Sequence, residues 1–368
     1  MPAAAPAVGR LPLLALGIAS LLAGLWAGVG RLGLDPAAGS PLTALHGPLM
    51  VSGFFGTLIG IERAVALGGI WPYAGPAASG LGALLLLLGA PLAPGAGLML
   101  LGSLVFVAAS AVIVRREPAL FTLVLALGAA CWAAGSLLLS LGVPVAVLVP
   151  WWMLFLVLTV AAERLELTRF LRFSPRRRAL FLGVVAMLLA GAVLSPAAPR
   201  AGAVLTGLAL IGLALWLAAF DVARRTVRQH GLPRYAAICL LSGYGWLAAG
   251  GGLLAALSWD GAYDPALHAV FVGFAFAMVF GHAPIILPAV LRIAVPFRPR
   301  LYAPLLLLHA GLGLRVAGQL GGWPAAWQWG GVGNAAAILL FFALIAAAAL
   351  AELRGPAGAA AAPGDGRR

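Results

Sequence analysis

Leu98-Met99-Leu100-Leu101-Gly102-Ser103-Leu104-Val105-Phe106-Val107-Ala108-Ala109-Ser110-Ala111-Val112-Ile113-Val114-Arg115-Arg116 is the stretch that decides the fold. The span begins at Ala93, after the Pro91 joint, and stops at two adjacent arginines. A helix on the surface of a soluble domain carries polar residues along one face, and this one carries no charge on any face. Its length matches the about 20 residues a helix needs to cross hydrocarbon. The arginine pair marks the end held on the cytoplasmic side, where basic residues collect.

The whole chain repeats this pattern. Of 368 residues, 63% are hydrophobic and 9% charged, with a mean hydropathy of +1.07. Soluble domains carry roughly 25% charged residues, so a soluble enzyme, a disordered chain and a disulfide scaffold are all excluded. Apolar stretches at 11–33, 43–64, 71–91, 93–114, 119–141, 143–163, 178–196, 201–220, 235–257, 265–290, 301–320 and 332–352 predict an all-α, polytopic membrane bundle of about twelve helices. Pro and Gly punctuate the joints, as in Ala90-Pro91-Leu92-Ala93-Pro94. The loops that remain are too short for a soluble domain. One transmembrane domain over 1–354 is expected, followed by a disordered Ala/Gly/Pro-rich cytoplasmic tail over 355–368.

Charge fixes the expected orientation. All basic residues are arginines, giving a net charge of +13. With loops assigned alternately to the two sides, only Arg31, Arg200 and Arg315 fall opposite the rest, on the side that carries Asp35, Asp260 and Asp264. Both termini are then cytoplasmic, and the arginines report topology rather than nucleic acid. The expected location is a bacterial inner (plasma) membrane, with the lipid bilayer as first partner. The first span is read as an uncleaved helix, because its apolar run exceeds that of a signal peptide. Trp259, Trp323, Trp327 and Trp329 are expected to form an aromatic belt at the outer headgroups. Cys131 and Cys239 read as small buried residues.

Five histidines exist, and four of them fall within spans: His46, His268, His282 and His309. His230 sits in a basic loop and is expected to be solvated. Ionisable groups in hydrocarbon are expensive and normally face the bundle interior at a site. His46 and His268 each stand about one turn below the outer end of an inward-running span, which puts them level. His282 lies 14 residues beyond His268, about 21 Å at α-helical rise, close to the predicted depth of His309. Two histidine pairs on two levels are therefore expected, His46 with His268 and His282 with His309. On α-helical phase His46 shares a stripe with Met50, Gly53, Thr57 and Gly60. These small residues either admit a close neighbouring helix or leave room for a flat macrocycle. Pro284 and Pro288 are expected to kink or break the helix after His282. Glu62-Arg63 and Glu163-Arg164 read as interfacial anchors, with proton entry as an alternative role for Glu62.

Neutral imidazole suits haem iron, copper or zinc. Two level histidines on spans two and ten of twelve resemble the low-spin haem ligands of the haem–copper oxidase catalytic subunit. The segments Leu45-His46-Gly47-Pro48-Leu49-Met50-Val51-Ser52-Gly53-Phe54 and Leu267-His268-Ala269-Val270-Phe271-Val272-Gly273, with Gly281-His282, are similar to segments of NnrS-type membrane proteins, which contain haem and copper and are linked to nitric oxide. The resemblance covers spans two, ten and eleven and implies a b-type haem on His46 and His268. It implies copper or another metal on His282 and His309, a small diatomic gas as ligand, and a redox donor at the outer face. The oxidase histidines of spans six and seven have no counterpart here; Trp151, Trp152 and Glu163 occupy span six. An oxygen-reducing binuclear centre is not expected. Whether such a protein acts as an oxidoreductase or only in binding and electron transfer stays open. So does a second reading, a proton-coupled secondary transporter of twelve helices.

Overall fold

The computed structural model describes residues 7–34, 41–168 and 174–354. The predicted tail over 355–368, Asp35, and two arginines of the basic loop, Arg169 and Arg172, lie outside the described residues. The described residues are nearly all helical, with no strand. We number the long helices in chain order: α1 Leu11–Gly30, α2 Pro41–Leu67, α3 Ala74–Leu87, α4 Leu92–Arg116, α5 Leu120–Ser140, α6 Val145–Leu167, α7 Pro175–Leu194 and α8 Pro199–Phe220. Helix then covers Gly231 to Leu291 in two pieces joined at a kink, where Ser258 has a non-helical backbone (φ 65°, ψ −179°). We treat 231–257 as α9 and 259–291 as α10. Tyr302–Gly321 is α11 and Pro324–Arg354 is α12. Among the described residues, ten helical stretches, with α9 and α10 counted as one, are long and apolar enough to cross a membrane. The chain is a multi-pass membrane protein.

Its outward faces are apolar: Trp26, Leu88, Leu180, Leu215 and Leu306 are all more than half exposed. The interior adds small and hydroxyl residues to its apolar core, because lipid offers no hydrophobic drive for helix association and close backbone packing must supply it. A methyl group on Gly102 of α4 would sit 2.8 Å from the Gly75 carbonyl oxygen of α3. Ser79 Oγ donates to the Ser52 carbonyl at 2.7 Å, tying α3 to α2. Trp132 Nε1 donates to Ser52 Oγ at 3.1 Å, bringing in α5.

The most enclosed stretches are α2 (67% of its apolar window buried), α6 (72%) and 231–291 (67%), so the centre of the bundle is α2, α6 and α10. The three helices run parallel. His46 meets His268 near the start of α2 and the first half of α10, and Glu62 meets both His282 and Glu163 toward the C-terminal ends of all three. Phe54 stacks on Phe276 between the two levels, with ring centroids 5.8 Å apart.

Two backbone irregularities were not expected. Leu49–Gly56 in α2 and Ala269–Phe276 in α10 are π-helical, and each begins within three residues of a site histidine. π-turns are rare and cluster at functional sites. They hold more residues per turn than an α-helix, which rotates everything downstream out of α-helical phase. Conversely, the predicted break after His282 is absent: α10 stays helical through Pro284 and Pro288 as far as Leu291, and ends at Arg292 in the left-handed conformation.

Candidate functional site

His46 and His268 lie beside each other, with ring centroids 6.4 Å apart and planes within 16° of parallel. Each ring is fixed by the same device. His46 Nδ1 is 2.7 Å from the Gly24 carbonyl oxygen of α1, and His268 Nδ1 is 2.8 Å from the Asp264 carbonyl oxygen one turn earlier in α10. A carbonyl only accepts, so both Nδ1 atoms carry the proton and both Nε2 atoms keep a lone pair. This is the outer-shell arrangement usual for metal-ligating histidines. The 6.4 Å spacing is at the long end of the range for paired aromatic rings. It is close to the sum of two metal–nitrogen bonds of about 2.0–2.1 Å and two ring half-widths of about 1.1 Å.

Asp264 holds His268 a second time, its carboxylate Oδ1 lying 3.3 Å from Nδ1. The carboxylate is itself clamped. Arg315 of α11 donates through Nη2 at 2.7 Å and Nε at 3.1 Å, and Trp327 Nε1 of α12 donates at 3.2 Å. Three helices, α10, α11 and α12, thereby fix the His268 imidazole, while α1 holds that of His46. Trp327 is thus not a belt residue. Trp259 is likewise 9% exposed and donates to Ser195 Oγ at 3.3 Å, whereas Trp323 and Trp329 stand out at 62% and 63%.

Both histidines line a cavity of about 230 Å³. Met50, Phe55, Trp152, Phe271 and Phe276 form its apolar walls, and Arg31 and Arg315 also line it. Of the predicted small-residue stripe only Met50 lines this space. A methyl on Gly53 would sit 2.9 Å from Ala83 and Ser20, and one on Gly60 would sit 3.2 Å from Pro76, so these glycines serve close helix contacts. The glycine that makes room for the site is Gly28 on α1, where a methyl would lie 2.8 Å from His46 Cε1.

The other two histidines are not brought together. His282 faces Glu62 and Glu163, its Nε2 lying 3.8 Å and 4.0 Å from a carboxylate oxygen of each. Arg63 Nη2 lies 3.5 Å from the other oxygen of Glu163. His309 instead faces α9. Trp246 Nε1 donates to its Nδ1 at 3.0 Å, so its Nε2 carries the proton and donates to Ser242 Oγ at 2.9 Å. Ser242 passes the chain on to the Ile238 carbonyl at 2.8 Å. Both ring nitrogens of His309 are used within the protein, which leaves no lone pair for a metal. His230 is exposed, and Cys131 and Cys239 are buried free thiols.

Sequence reading missed three participants: Asp264, Arg315 and the pairing of Glu62 with Glu163. The first had a visible signal, four residues ahead of His268 on the same helical face. The others are contacts between helices far apart in sequence.

These observations define an all-helical, multi-pass membrane protein with two histidine-centred sites on its three innermost helices. The chain belongs to the family described as domain of unknown function (DUF8744), whose model matches residues 10–350. No curated protein matches it.

Proposed function

We propose that this is a haem-b-binding membrane protein whose iron is ligated by His46 and His268, serving membrane electron transfer or the response to nitric oxide or a similar small gas, as in NnrS-type proteins. The carrying observation is the pair of imidazoles with proton-bearing Nδ1 atoms tied to carbonyl oxygens, spaced for one metal between them. Arg31 and Arg315, lining the same cavity, suit the carboxylates that a haem presents. The cavity is smaller than the about 300–1,000 Å³ of formed ligand sites. A macrocycle has to open it, and Met50 is the flexible wall able to give way. A haem held there supplies one-electron chemistry. The chain positions its two ligands, excludes water with the apolar wall, and balances charge at the rim.

In this reading twelve helices cross a bacterial plasma membrane with both termini cytoplasmic. The parallel run of α2, α6 and α10 supports it, since even-numbered crossings share a direction. So does the end at which the arginines gather: Arg10 reaches the Val290 carbonyl, Arg116 the Leu67 carbonyl, and Arg63 and Arg164 lie on the same level. The histidine pair then lies toward the outer face, where a redox donor approaches. Two imidazoles saturate an iron, so a gas has to displace one of them or bind elsewhere.

The test is ligand replacement. His46→Ala and His268→Ala, purified in detergent, should lose haem absorption, while His309→Ala should keep it. Full haem in either ligand variant refutes the assignment. That outcome would favour the remaining reading, proton-coupled transport, for which the partly buried Glu62–Glu163–His282 group is the supporting observation.

A further inference from the structure

Glu62, Glu163 and His282 each offer one ligand atom, and these atoms all lie within 4.8 Å of one another. They come from the C-terminal ends of α2, α6 and α10, the three central helices. We propose that these residues hold a first-row divalent metal ion, Zn(II), Mn(II) or Fe(II), at the opposite end of the bundle from His46 and His268. The assignment does not rest on the haem reading.

Spacing is the first argument. His282 Nε2 lies 3.8 Å and 4.0 Å from the two carboxylates, beyond the about 2.7–3.2 Å of a hydrogen bond. Nε2 is buried and has no hydrogen-bond partner. The Arg315–Asp264 ion pair, by contrast, closes to 2.7 Å. Three donor atoms that converge yet stop short of each other are arranged about a common centre. A point equidistant from atoms so spaced is about 2.2–2.5 Å from each, near metal–oxygen and metal–nitrogen lengths of about 2.0–2.2 Å.

Charge is the second argument. Two carboxylates in a membrane interior need compensation, and Arg63, 3.5 Å from Glu163, answers only one. The next arginine, Arg164, points away to Asp221 at 3.3 Å, and Asp221 also accepts from Tyr244 at 2.5 Å. One negative charge is left for a bound cation to offset. The donor set then selects the metal. Two hard oxygens and one imidazole suit Zn(II), Mn(II) or Fe(II), while the soft thiolates that would favour Cu(I) are absent from the group. Three protein ligands leave at least one coordination position free, the pattern of reactive rather than structural sites.

The probe is Zn(II) alone. The full-length protein with His268→Ala, which removes the outer histidine pair from consideration, is dialysed against Zn(II) in detergent, and bound metal is counted by mass spectrometry. One equivalent per chain is expected, with affinity falling at least 10-fold on adding Glu163→Gln or His282→Gln. Glu352→Gln, an exposed carboxylate on α12, should change nothing. If the charge-removing variants fail to fold, Glu62→Asp, which keeps the charge on a shorter arm, should weaken binding on its own. No bound zinc in the folded protein, or equal affinity with and without these changes, overturns the proposal. Loss of haem without loss of zinc in His46→Ala would separate this site's fate from that of the haem assignment.

Discussion

Gly28→Ala should weaken the proposed haem site while leaving α1 as stable as before or more so. Alanine is favoured over glycine inside a helix by up to about 1 kcal/mol, and Gly28 lies in the last turn of α1 and is half-buried. The added methyl would lie 2.8 Å from Cε1 and 2.9 Å from Nδ1 of His46, where ordinary contact begins at 3.4 Å. The ring must therefore retreat by about 0.5 Å or more, and its only anchor, the 2.7 Å hydrogen bond to the Gly24 carbonyl, lies on the same side of α1. Losing such an outer-shell anchor costs about 10–100-fold in metal affinity. The assay is haem per chain by pyridine haemochromogen after reconstitution at graded haem concentrations, with thermal unfolding followed in parallel. The expected result is a 10–100-fold shift of the haem titration with an unchanged or raised unfolding temperature. Gly97→Ala on α4, where nothing lies within 4 Å of the added methyl, is the matched control and should shift neither. Haem binding in Gly28→Ala equal to wild type would refute the claim that His46 is held in ligating position against α1.

Asp264→Ala strips Arg315, only 9% exposed, of its counter-ion; a buried charge left unpaired costs about 3–5 kcal/mol, and Asp264→Ala/Arg315→Leu should recover most of the lost thermal stability. His309→Ala leaves Trp246 Nε1 and Ser242 Oγ without their partner and should cost about 1–3 kcal/mol, seen in thermal unfolding, with haem and zinc content unchanged. Gly102→Ala forces a methyl to 2.8 Å from the Gly75 carbonyl and 3.0 Å from the Ser79 nitrogen, both backbone atoms that cannot swing aside. Overpacking of this kind costs about 1–3 kcal/mol and should lower the unfolding temperature.

The helices were legible because the membrane imposes them. An uncharged run such as 93–114 permits little else, and the helical segments follow the predicted spans within a few residues except where α9 and α10 join through Ser258 and at α12, which begins at Pro324, ahead of the predicted 332. The level of His46 with His268 was legible too, since depth depends only on counting residues from an interface. Azimuth was not. It requires a constant angle per residue, and eight π-helical residues in each of α2 and α10 break that assumption. That is why the stripe through Gly53 and Gly60 left close helix contact and a macrocycle equally open, where the fold shows both glycines packed against other helices. It is also why Glu62 and Glu163 passed for simple anchors: each sits beside an arginine in sequence, and only the fold brings both against His282. His309 shares its predicted depth with His282 but points to another helix. Depth without azimuth cannot separate a metal ligand from a residue whose two nitrogens are spent on Trp246 and Ser242.

The central claim, that one haem sits between His46 and His268, is tested most directly by the absorption spectrum of the purified wild-type protein. It would be recorded oxidised and dithionite-reduced, with haem quantified on the same sample. The account predicts one haem per chain and sharp α and β bands on reduction, the signature of a six-coordinate bis-imidazole iron. A well-folded preparation that stays colourless after haem reconstitution would contradict it.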